Sequence, residues 1–165
     1  MRIIAMSDSH GDRRAVRRVV EKHLADADLF VHLGDGGAEF CAVMEEHPEK
    51  AFAWVAGNNE AMFFQWNHRK SMTIDAGGHK IYLAHGDRLH VKLDLLELLY
   101  MGKRSGADVV LFGHTHRAHD EEREGVRLIN PGALRYPRGG GPSYAVLDLS
   151  EDKIRVSLAA PPTPT

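Results

Sequence analysis

The amino-acid sequence predicts one α/β domain, and three observations support this. Its 165 residues, 43% hydrophobic and 27% charged, are typical of a globular chain long enough to bury a core. Short apolar runs alternate with amphipathic segments, which is typical of βαβ units and a largely parallel sheet. Several apolar runs end in small polar clusters, and parallel sheets gather such clusters at one edge. We expect the domain to span 1–160, followed by a frayed tail over 161–165.

The first half of the chain alternates strands and helices. Asp12 is a suitable N-cap for the helix that follows it, because its carboxylate can accept a hydrogen bond from the first helical turn. That helix carries apolar residues on one face, the pattern of a helix packed against a sheet. The predicted elements are strand 3–6, helix 13–24, strand 29–33, helix 38–46 and strand 51–56.

The second half contains more strands than helices. The Gly77-Gly78 pair predicts a hairpin turn between two short strands. A helix and a buried strand follow, and four further short strands complete the chain. The predicted elements are hairpin strands 72–74 and 80–84, helix 91–103 and strands 108–112, 118–123, 126–129, 144–149 and 153–158.

Composition excludes several classes of protein. A single cysteine, Cys41, cannot form an internal disulfide or a cysteine-rich zinc site, so we expect it to lie in the core of a cytoplasmic protein. The apolar run near the N-terminus is too short for a signal peptide, and we expect no membrane span. The net charge of -2 argues against nucleic acid as a partner.

Five predicted strands end in residues that bind metals. These residues supply two carboxylates, four imidazoles and one amide oxygen, a donor set that suits Mn²⁺, Fe, Zn²⁺, Ni²⁺ or Co²⁺. Seven ligands are too many for one four-coordinate ion but enough for two, with Asp35 as the bridging carboxylate. The candidate ligands are Asp8, His10, Asp35, Asn58, His85, His114 and His116.

The charge of such a site favours one substrate class. Two divalent ions bring four positive charges, and Asp8, Asp35 and a bridging hydroxide together reduce this to about +1. That charge matches the single negative charge of a phosphodiester. The ligand set therefore predicts metal-assisted phosphoryl hydrolysis.

The order of the motifs resembles the calcineurin-like metallophosphoesterase superfamily, over about residues 1–149. The Asn130-Pro131-Gly132 sequence and the small size resemble its bacterial and archaeal phosphodiesterase subgroup. The resemblance implies a four-layer αββα sandwich with a dinuclear metal site at the C-terminal rim of the strands. The motifs are Asp8-x-His10, Gly34-Asp35, Gly57-Asn58, His85-Gly86 and Gly113-His114-x-His116.

The resemblance also implies roles for individual residues. Mn²⁺ is the expected ion, with Ni²⁺, Fe and Zn²⁺ as alternatives. From the chemistry of the residues we expect the catalytic set Asn58, Asn59, His85 and His114. Asn58, His85 and His114 would stabilise the transition state through the metal, and Asn59 would donate a hydrogen bond to substrate. The first metal would be held by Asp8, His10, Asp35 and His116, and the second by Asp35, Asn58, His85 and His114.

This chain departs from the family pattern at two positions. Asn59 stands where many members have a histidine that protonates the leaving group, so another group or water must donate that proton. Asp87 stands where the subgroup commonly has histidine, so this chain would orient its substrate differently from those members. Glu60 is expected to orient the Asn58 loop.

Further residues have a functional interpretation and a structural alternative. Arg13, Arg14 and Arg135 would contact a substrate phosphate, whereas a solvated helix face is the alternative for the first two. His32 would orient a neighbour of the site or lie hydrogen-bonded in the core. His119 would reach the site or lie on a surface strand. We expect the remaining histidines to be solvated: His23, His47, His68, His79 and His90.

The predicted function is a metal-dependent phosphodiesterase acting through a metal-bridging hydroxide on a small phosphodiester or nucleotide. A phosphomonoesterase or a nuclease on the same site is an alternative. A non-catalytic scaffold is another, because the same fold serves as a retromer subunit. Phe63, Phe64 and Trp66 would form a lid, part of the core or a contact in a homodimer.

Overall fold

The computed structural model describes residues 1–60 and 68–165, and it contains two five-stranded sheets. Phe63, Phe64 and Trp66, the predicted lid or dimer contact, lie outside the described residues. No helix within the described ranges is long and apolar enough to cross a membrane.

The first sheet has the strand order β10-β9-β1-β2-β3. Its central strands β1, β2 and β3 are parallel, and β9 and β10 add to it antiparallel. Helices α1 and α2 connect the parallel strands, as crossover connections require. The bounds are β1 Arg2–Met6, α1 Arg13–Lys22, β2 Leu29–His32, α2 Gly37–Glu46, β3 Phe52–Trp54, β9 Tyr144–Ser150 and β10 Lys153–Ala159.

The second sheet has the strand order β4-β5-β6-β8-β7. Strands β5, β6 and β8 are parallel, whereas β4 and β7 pair antiparallel at the two edges. Helix α3 connects β5 to β6. The bounds are β4 Ser71–Ala76, β5 His79–Ala84, α3 Leu96–Arg104, β6 Val109–Leu111, β7 Ala118–Arg123 and β8 Val126–Pro131, with a 3-10 turn at Asp87–Leu89.

Alternating side chains of β1 show how the layers pack. Ile3 and Ala5 join a cluster shared with Ile81 and Leu83 of the second sheet, so the two sheets pack face to face. Ile4 and Met6 point to the opposite face, where α1 and α2 cover them. Helix α3 covers the outer face of the second sheet in the same way. The chain is therefore the predicted αββα sandwich.

The parallel pairing predicted from the βαβ units is confirmed for β1, β2 and β3, but both sheets are mixed, because antiparallel strands complete them. Short turns such as Gly77-Gly78 and Glu124-Gly125 join neighbouring strands directly, and directly joined strands pair antiparallel. Parallel pairs form between strands that a helix connects, and between β6 and β8, which are connected through the edge strand β7.

Three local predictions are also corrected. The helix predicted over 91–103 begins only at Leu96, where the carboxylate of Asp94 accepts a hydrogen bond from the Leu96 amide. Helix α1 ends at Lys22 because His23 turns inward to Tyr144, 2.9 Å from Nε2 to the hydroxyl. His23 and His79 are buried, not solvated, because each has hydrogen-bond partners inside the protein.

Candidate metal centre

The loops that follow the parallel strands meet at one edge of the sandwich. The Asp8 amide donates to the Gly34 carbonyl at 3.0 Å, which ties the β1 loop to the β2 loop. In the second sheet, the Gly113 amide donates to the His85 carbonyl at 3.0 Å. The amide of His114 then joins the two sheets by donating to Oδ2 of Asp8 at 3.1 Å. The C-terminal ends of both sets of strands therefore share one site.

The first group of metal-binding side chains consists of Asp8, His10 and His116. One ligand atom from each lies within 4.8 Å of the others. Nε2 of His116 is 3.2 Å from Oδ1 of Asp8 and 3.2 Å from Nε2 of His10. The group offers one carboxylate oxygen and two imidazole nitrogens to a single point.

The second group consists of Asp35, His85 and His114, whose ligand atoms also lie within 4.8 Å of one another. Nε2 of His85 is 3.2 Å from Nδ1 of His114. The Asn58 side-chain oxygen lies 3.1 Å from the same His85 nitrogen, so the amide joins this group.

Asp35 stands between the two groups. Its Oδ2 lies 3.3 Å from Nε2 of His85 in the second group and 3.8 Å from Nε2 of His10 in the first. The structure thus brings all seven candidate ligands together, with Asp35 between the two groups.

Backbone carbonyls orient two of the imidazoles. Nδ1 of His85 donates to the Leu33 carbonyl at 2.7 Å, and Nδ1 of His116 donates to the Tyr136 carbonyl at 2.8 Å. Each bond fixes the proton on Nδ1 and leaves Nε2 as a lone-pair donor aimed into the site, the usual arrangement of a metal-binding histidine.

The residues fit divalent metal ions, and Asp8 shows this most directly. Its carboxylate is fully buried, and its Oδ1 has no hydrogen-bond partner among the described residues. A buried carboxylate oxygen without a partner is costly, and a cation at that point would satisfy it. Burial raises the pKa of Asp8, but the neighbouring imidazoles of His10 and His116 outweigh it and hold the pKa far below its usual range. The oxygen is therefore an anionic donor.

The second group shows the same balance of charge. Burial raises the pKa of Asp35, but the neighbouring His85 and the Asn59 amide lower it to about 2. Burial lowers the pKa of His85, and the carboxylates of Asp35 and Asp8 raise it to about 9.

The backbone at this edge is strained. Five of the seven candidate ligands have a positive φ angle, between 43° and 69°: Asp8, His10, Asp35, His114 and His116. Left-handed backbone is uncommon for residues other than glycine, and such strain concentrates at functional sites. Here it turns the side chains inward directly after each strand.

Glycines beside the ligands make room for the carboxylates. A Cβ atom on Gly57 would lie 2.1 Å from Oδ1 of Asp35, and one on Gly113 would lie 2.9 Å from Oδ2 of Asp8. The Gly-Asn and Gly-His pairs of the sequence are therefore steric requirements of the site.

Several residues that support the ligands carry no motif of their own. Oγ of Ser7 donates to Oδ2 of Asp8 at 2.6 Å. The buried amide of Asn130 donates to the Gly113 carbonyl and to Oγ1 of Thr115, both at 3.0 Å, and so holds the segment with the two histidines. Asn130 appears in the sequence only as part of a family signature, and its full burial near the end of β8 is the observation that marks its role.

Glu60 and His32 also act on the ligand loops. The carboxylate of Glu60 accepts hydrogen bonds from the amides of Gly36, Gly37 and Gly57, which joins the loop of Asp35 to the loop of Asn58 as expected. His32 is fully buried, 2.9 Å from Oγ of Ser9, and Ser9 donates to Glu39. Burial lowers the pKa of His32 to about 4, so it is a neutral hydrogen-bonding residue.

The predicted substrate contacts lie around the site but differ in availability. Arg13 is paired with Glu46, and the side chain of Arg135 donates to the His10 carbonyl at 2.8 Å. Arg14 is exposed beside them in a cleft of about 580 Å³. Asn59 donates through its amide and side chain to both oxygens of Asp35, at 2.8 and 3.0 Å.

Two other expectations concern residues near the site. His119 lies on β7, with Nε2 3.0 Å from a carboxylate oxygen of Glu121. Asp87 lies in the 3-10 turn after Gly86. Burial and the charges of His85 and Lys92 lower the pKa of His114, whereas the charge of Asp87 opposes this shift.

Known proteins share this sequence pattern over nearly the whole chain. The chain is 35% identical over 158 residues to the probable metallophosphoesterase YsnB of Bacillus subtilis, covering 94% of this chain and 89% of that protein. It is 27% identical over 168 residues to the phosphodiesterase MJ0936 of Methanocaldococcus jannaschii, covering 94% and 97%.

Solved structures share the fold. A predicted phosphoesterase from Streptococcus pneumoniae superposes with a TM-score of 0.81 at 26% identity, covering 96% of this chain and 88% of that one. Vps29 from Entamoeba histolytica superposes with a TM-score of 0.74 at 19% identity, covering 96% and 98%, which shows a common fold alone.

The family profile agrees with the geometry of the two ligand groups. The calcineurin-like phosphoesterase superfamily domain matches residues 1–152, which include every candidate ligand. The chain therefore belongs to the calcineurin-like phosphoesterase superfamily and has the fold and ligand groups of a metal-dependent phosphoesterase.

Proposed function

We propose that this protein hydrolyses phosphodiesters with two divalent transition-metal ions held by the seven ligands. The single observation that carries the proposal is the position of Asp35, whose Oδ2 lies 3.3 Å from His85 and 3.8 Å from His10. A carboxylate between two His-containing groups is what a dinuclear centre needs.

The ions would supply Lewis-acid activation of water and of the phosphoryl oxygens. The chain's own residues set the geometry for that chemistry. Asp8, His10, Asp35 and His116 would form one binding position, and Asp35, Asn58, His85 and His114 the other. Leu33 and Tyr136 hold the imidazoles of His85 and His116 through backbone carbonyls, so their Nε2 atoms do not rotate away.

Asn59 has a structural partner as well as a proposed contact with substrate. Both of its donors bind Asp35, which holds that carboxylate in place between the two groups. A side chain so occupied is a poor source of a proton. We infer that the leaving group takes its proton from water, which favours phosphodiesters with good leaving groups.

Charge favours a diester over a monoester. Two divalent ions bring four positive charges, and the carboxylates of Asp8 and Asp35 with one hydroxide would reduce these to about +1, which the single negative charge of a diester balances. A monoester dianion would leave a net charge of about -1 at the ions, and Arg13 beside the site is paired with Glu46. The phosphodiesterase name of the archaeal relative supports the same substrate class.

The test combines metal content with activity. Protein purified without added metal, then loaded with Mn²⁺, Ni²⁺, Mg²⁺ or Zn²⁺, is assayed on bis(p-nitrophenyl) phosphate and on p-nitrophenyl phosphate. We expect about two ions per chain by elemental analysis and faster hydrolysis of the diester, with Mn²⁺ the most effective ion. Faster hydrolysis of the monoester would make the protein a phosphomonoesterase.

Two variants separate an enzyme from a scaffold with the same fold. Asp35→Asn removes the bridging charge and His116→Ala removes one imidazole, so each should lose activity and bound metal together. The exposed Lys153→Met, far from the site on β10, is the matched control and should retain both. A protein that binds no metal, or variants that stay fully active, would contradict the proposal. A cytoplasmic location and a homodimer remain parts of the proposal, to be checked by fractionation and by light scattering.

A further inference from the structure

A second pocket adjoins the ligand groups on the side of the second sheet. We call it the Thr115 pocket, because Thr115, the residue between His114 and His116, forms part of its wall. Its volume of about 490 Å³ lies within the range of small-molecule sites. Because Thr115 lies between two ligands in the sequence, a molecule bound at the ligand groups could extend toward the pocket.

The lining combines apolar and cationic side chains. Val91 and Phe112 form an apolar floor and are 5% and 1% exposed. Lys92, Arg117 and Arg138 stand around this floor, all three exposed. Asp94 is the acidic residue in the lining, so positive charge predominates.

The three cations are available to a ligand. Within residues 1–60 and 68–165, no ion pair is found for the side chains of Lys92, Arg117 or Arg138. In the cleft beside α1, by contrast, Glu46 neutralises both Arg13 and Arg17. The three cations of the Thr115 pocket are therefore more available to bind an anion than Arg13 and Arg17 are.

Backbone hydrogen bonds fix the pocket relative to the ligand groups. The Arg138 amide donates to the His116 carbonyl at 2.8 Å. The Arg117 amide donates to Oγ1 of Thr115 at 3.2 Å, and Asn130 donates to the same oxygen. Arg117 directly follows His116 in the chain, and the Arg138 backbone is hydrogen-bonded to His116. Both arginines therefore start close to this ligand.

We propose that the Thr115 pocket binds one of the two ester groups of the substrate phosphodiester. This group combines an apolar body with a phosphate other than the one that is hydrolysed, as in a nucleotide that carries an additional phosphate. The apolar floor would contact the organic body. Arg117 and Arg138 would bind the second phosphate, since guanidinium groups bind phosphate oxygens in pairs. A neutral ester group would make no ionic contact with the three cations, and an ester group without an apolar part would make no contact with the apolar floor. The inference rests on the proposed function of the ligand groups.

The test uses two diesters that differ by one phosphate. These are thymidine 5′-(p-nitrophenyl phosphate) and the same compound with a 3′-phosphate, both assayed with the Mn²⁺-loaded protein. We expect kcat/KM to be at least about tenfold higher for the compound with the 3′-phosphate, because charge-assisted hydrogen bonds are among the strong ones. The Arg117→Gln/Arg138→Gln double variant should reduce that ratio to about one, whereas Lys153→Met should retain it.

Calorimetric binding gives a readout that is independent of turnover. Thymidine 3′,5′-bisphosphate should bind the wild-type protein about tenfold more tightly than thymidine 5′-phosphate, and the double variant should bind both equally. Lys92→Gln should reduce the difference in part, which keeps the test informative if the double variant folds poorly. Metal content, measured in parallel, should be unchanged in all three variants.

The outcomes separate the two proposals. The pocket proposal is overturned if the wild-type protein shows no preference for the 3′-phosphate, or if the double variant keeps that preference. The proposed function still holds in either case if the protein binds two ions and hydrolyses diesters. A wild-type protein without metal or diesterase activity overturns the proposed function, and the bisphosphate titration then decides the pocket alone.

Discussion

Oδ1 of Asp8 lies 3.2 Å from Nε2 of His116, and the two side chains come from different sheets. Asp8 follows β1 of the first sheet, and His116 follows β6 of the second. The first ligand group therefore exists only where the two sheets pack together. Metal binding should accordingly stabilise the sandwich, since a ligand that binds only the folded state raises its stability.

Asp8→Asn tests this relationship with almost no change of shape. The amide removes the anionic oxygen that has no hydrogen-bond partner, so we expect metal content to fall from about two ions per chain to about one. Activity on bis(p-nitrophenyl) phosphate should fall by more than about a hundredfold, because ligands matter more than the groups that orient them. Elemental analysis checks the first result and a rate assay the second.

The stability of the same variant provides the control. Mn²⁺ should raise the melting temperature of the wild-type protein by more than that of Asp8→Asn, whereas a chelator should bring both to their metal-free values. An equal increase in both proteins would contradict a role for Asp8 in binding the ion.

Gly113→Ala tests whether the glycines beside the ligands are steric requirements. A Cβ atom at Gly113 would lie 2.1 Å from Oγ of Ser7 and 2.9 Å from Oδ2 of Asp8, so it should displace the Asp8 carboxylate. We expect weaker metal binding and a loss of stability of about 1–3 kcal/mol, as for overpacked sites. Titration with Mn²⁺ and urea unfolding measure the two effects.

Gly141→Ala is the matched control for Gly113→Ala. A Cβ atom at Gly141 would meet no atom within 4 Å, and the residue has no positive φ angle. Stability and metal binding should both stay at wild-type values. Equal behaviour of the two alanine variants would show that the space around Gly113 is not what positions Asp8.

Asn130→Asp tests the support of the His114–His116 segment. The aspartate keeps an oxygen that accepts from the Gly132 amide, but it loses the two donors to the Gly113 carbonyl and Thr115. We expect metal affinity or activity to fall by about 10–100-fold, the effect typical of groups that orient ligands. We expect the kcat of the variant to recover at saturating Mn²⁺. A kcat that stays equally reduced at low and at saturating Mn²⁺ would instead indicate a purely structural effect.

Much of the candidate site could be predicted from the sequence because its ligands are local. Asp8, Asp35 and His85 directly follow strands that apolar runs identify, and the edge where parallel strands end is a general property of such sheets. The sequence indicates the antiparallel hairpin at Gly77-Gly78, but it does not indicate the other antiparallel pairs, because a hairpin and a crossover give similar apolar runs. Only the turn between them distinguishes the two, as Glu124-Gly125 shows.

The residues that sequence reasoning missed act over long distances. His23 is buried by a hydrogen bond to Tyr144, 121 positions away, and no local pattern reports such a partner. Asn130 and Ser7 likewise depend on which loops meet at the edge. The sequence allows Arg13 to contact a phosphate or to lie on a solvated helix face, and only the structure shows its pairing with Glu46.

His79 provides a pH-dependent contribution to stability far from the ligand groups. Its Nδ1 donates to Oδ2 of Asp108 at 2.5 Å, and its Nε2 donates to the Ser150 carbonyl at 2.7 Å. Burial lowers the pKa of His79, but these bonds and the charge of Asp108 outweigh it and raise the pKa above its usual value. The folded protein therefore holds a proton on His79 at pH values where the unfolded chain releases it.

The sign of the pH dependence follows from this difference. The stabilisation is fully present below the unfolded pKa of about 6.5 and is lost as pH rises through the higher folded pKa. Asp108→Asn removes the charge while its side-chain oxygen still accepts from the Lys80 amide. With a chelator present, we expect the free energy of unfolding of the wild-type protein to exceed that of Asp108→Asn by more at about pH 6 than at about pH 9. Urea unfolding at the two pH values measures this, and a difference that grows with pH would contradict the charged pair.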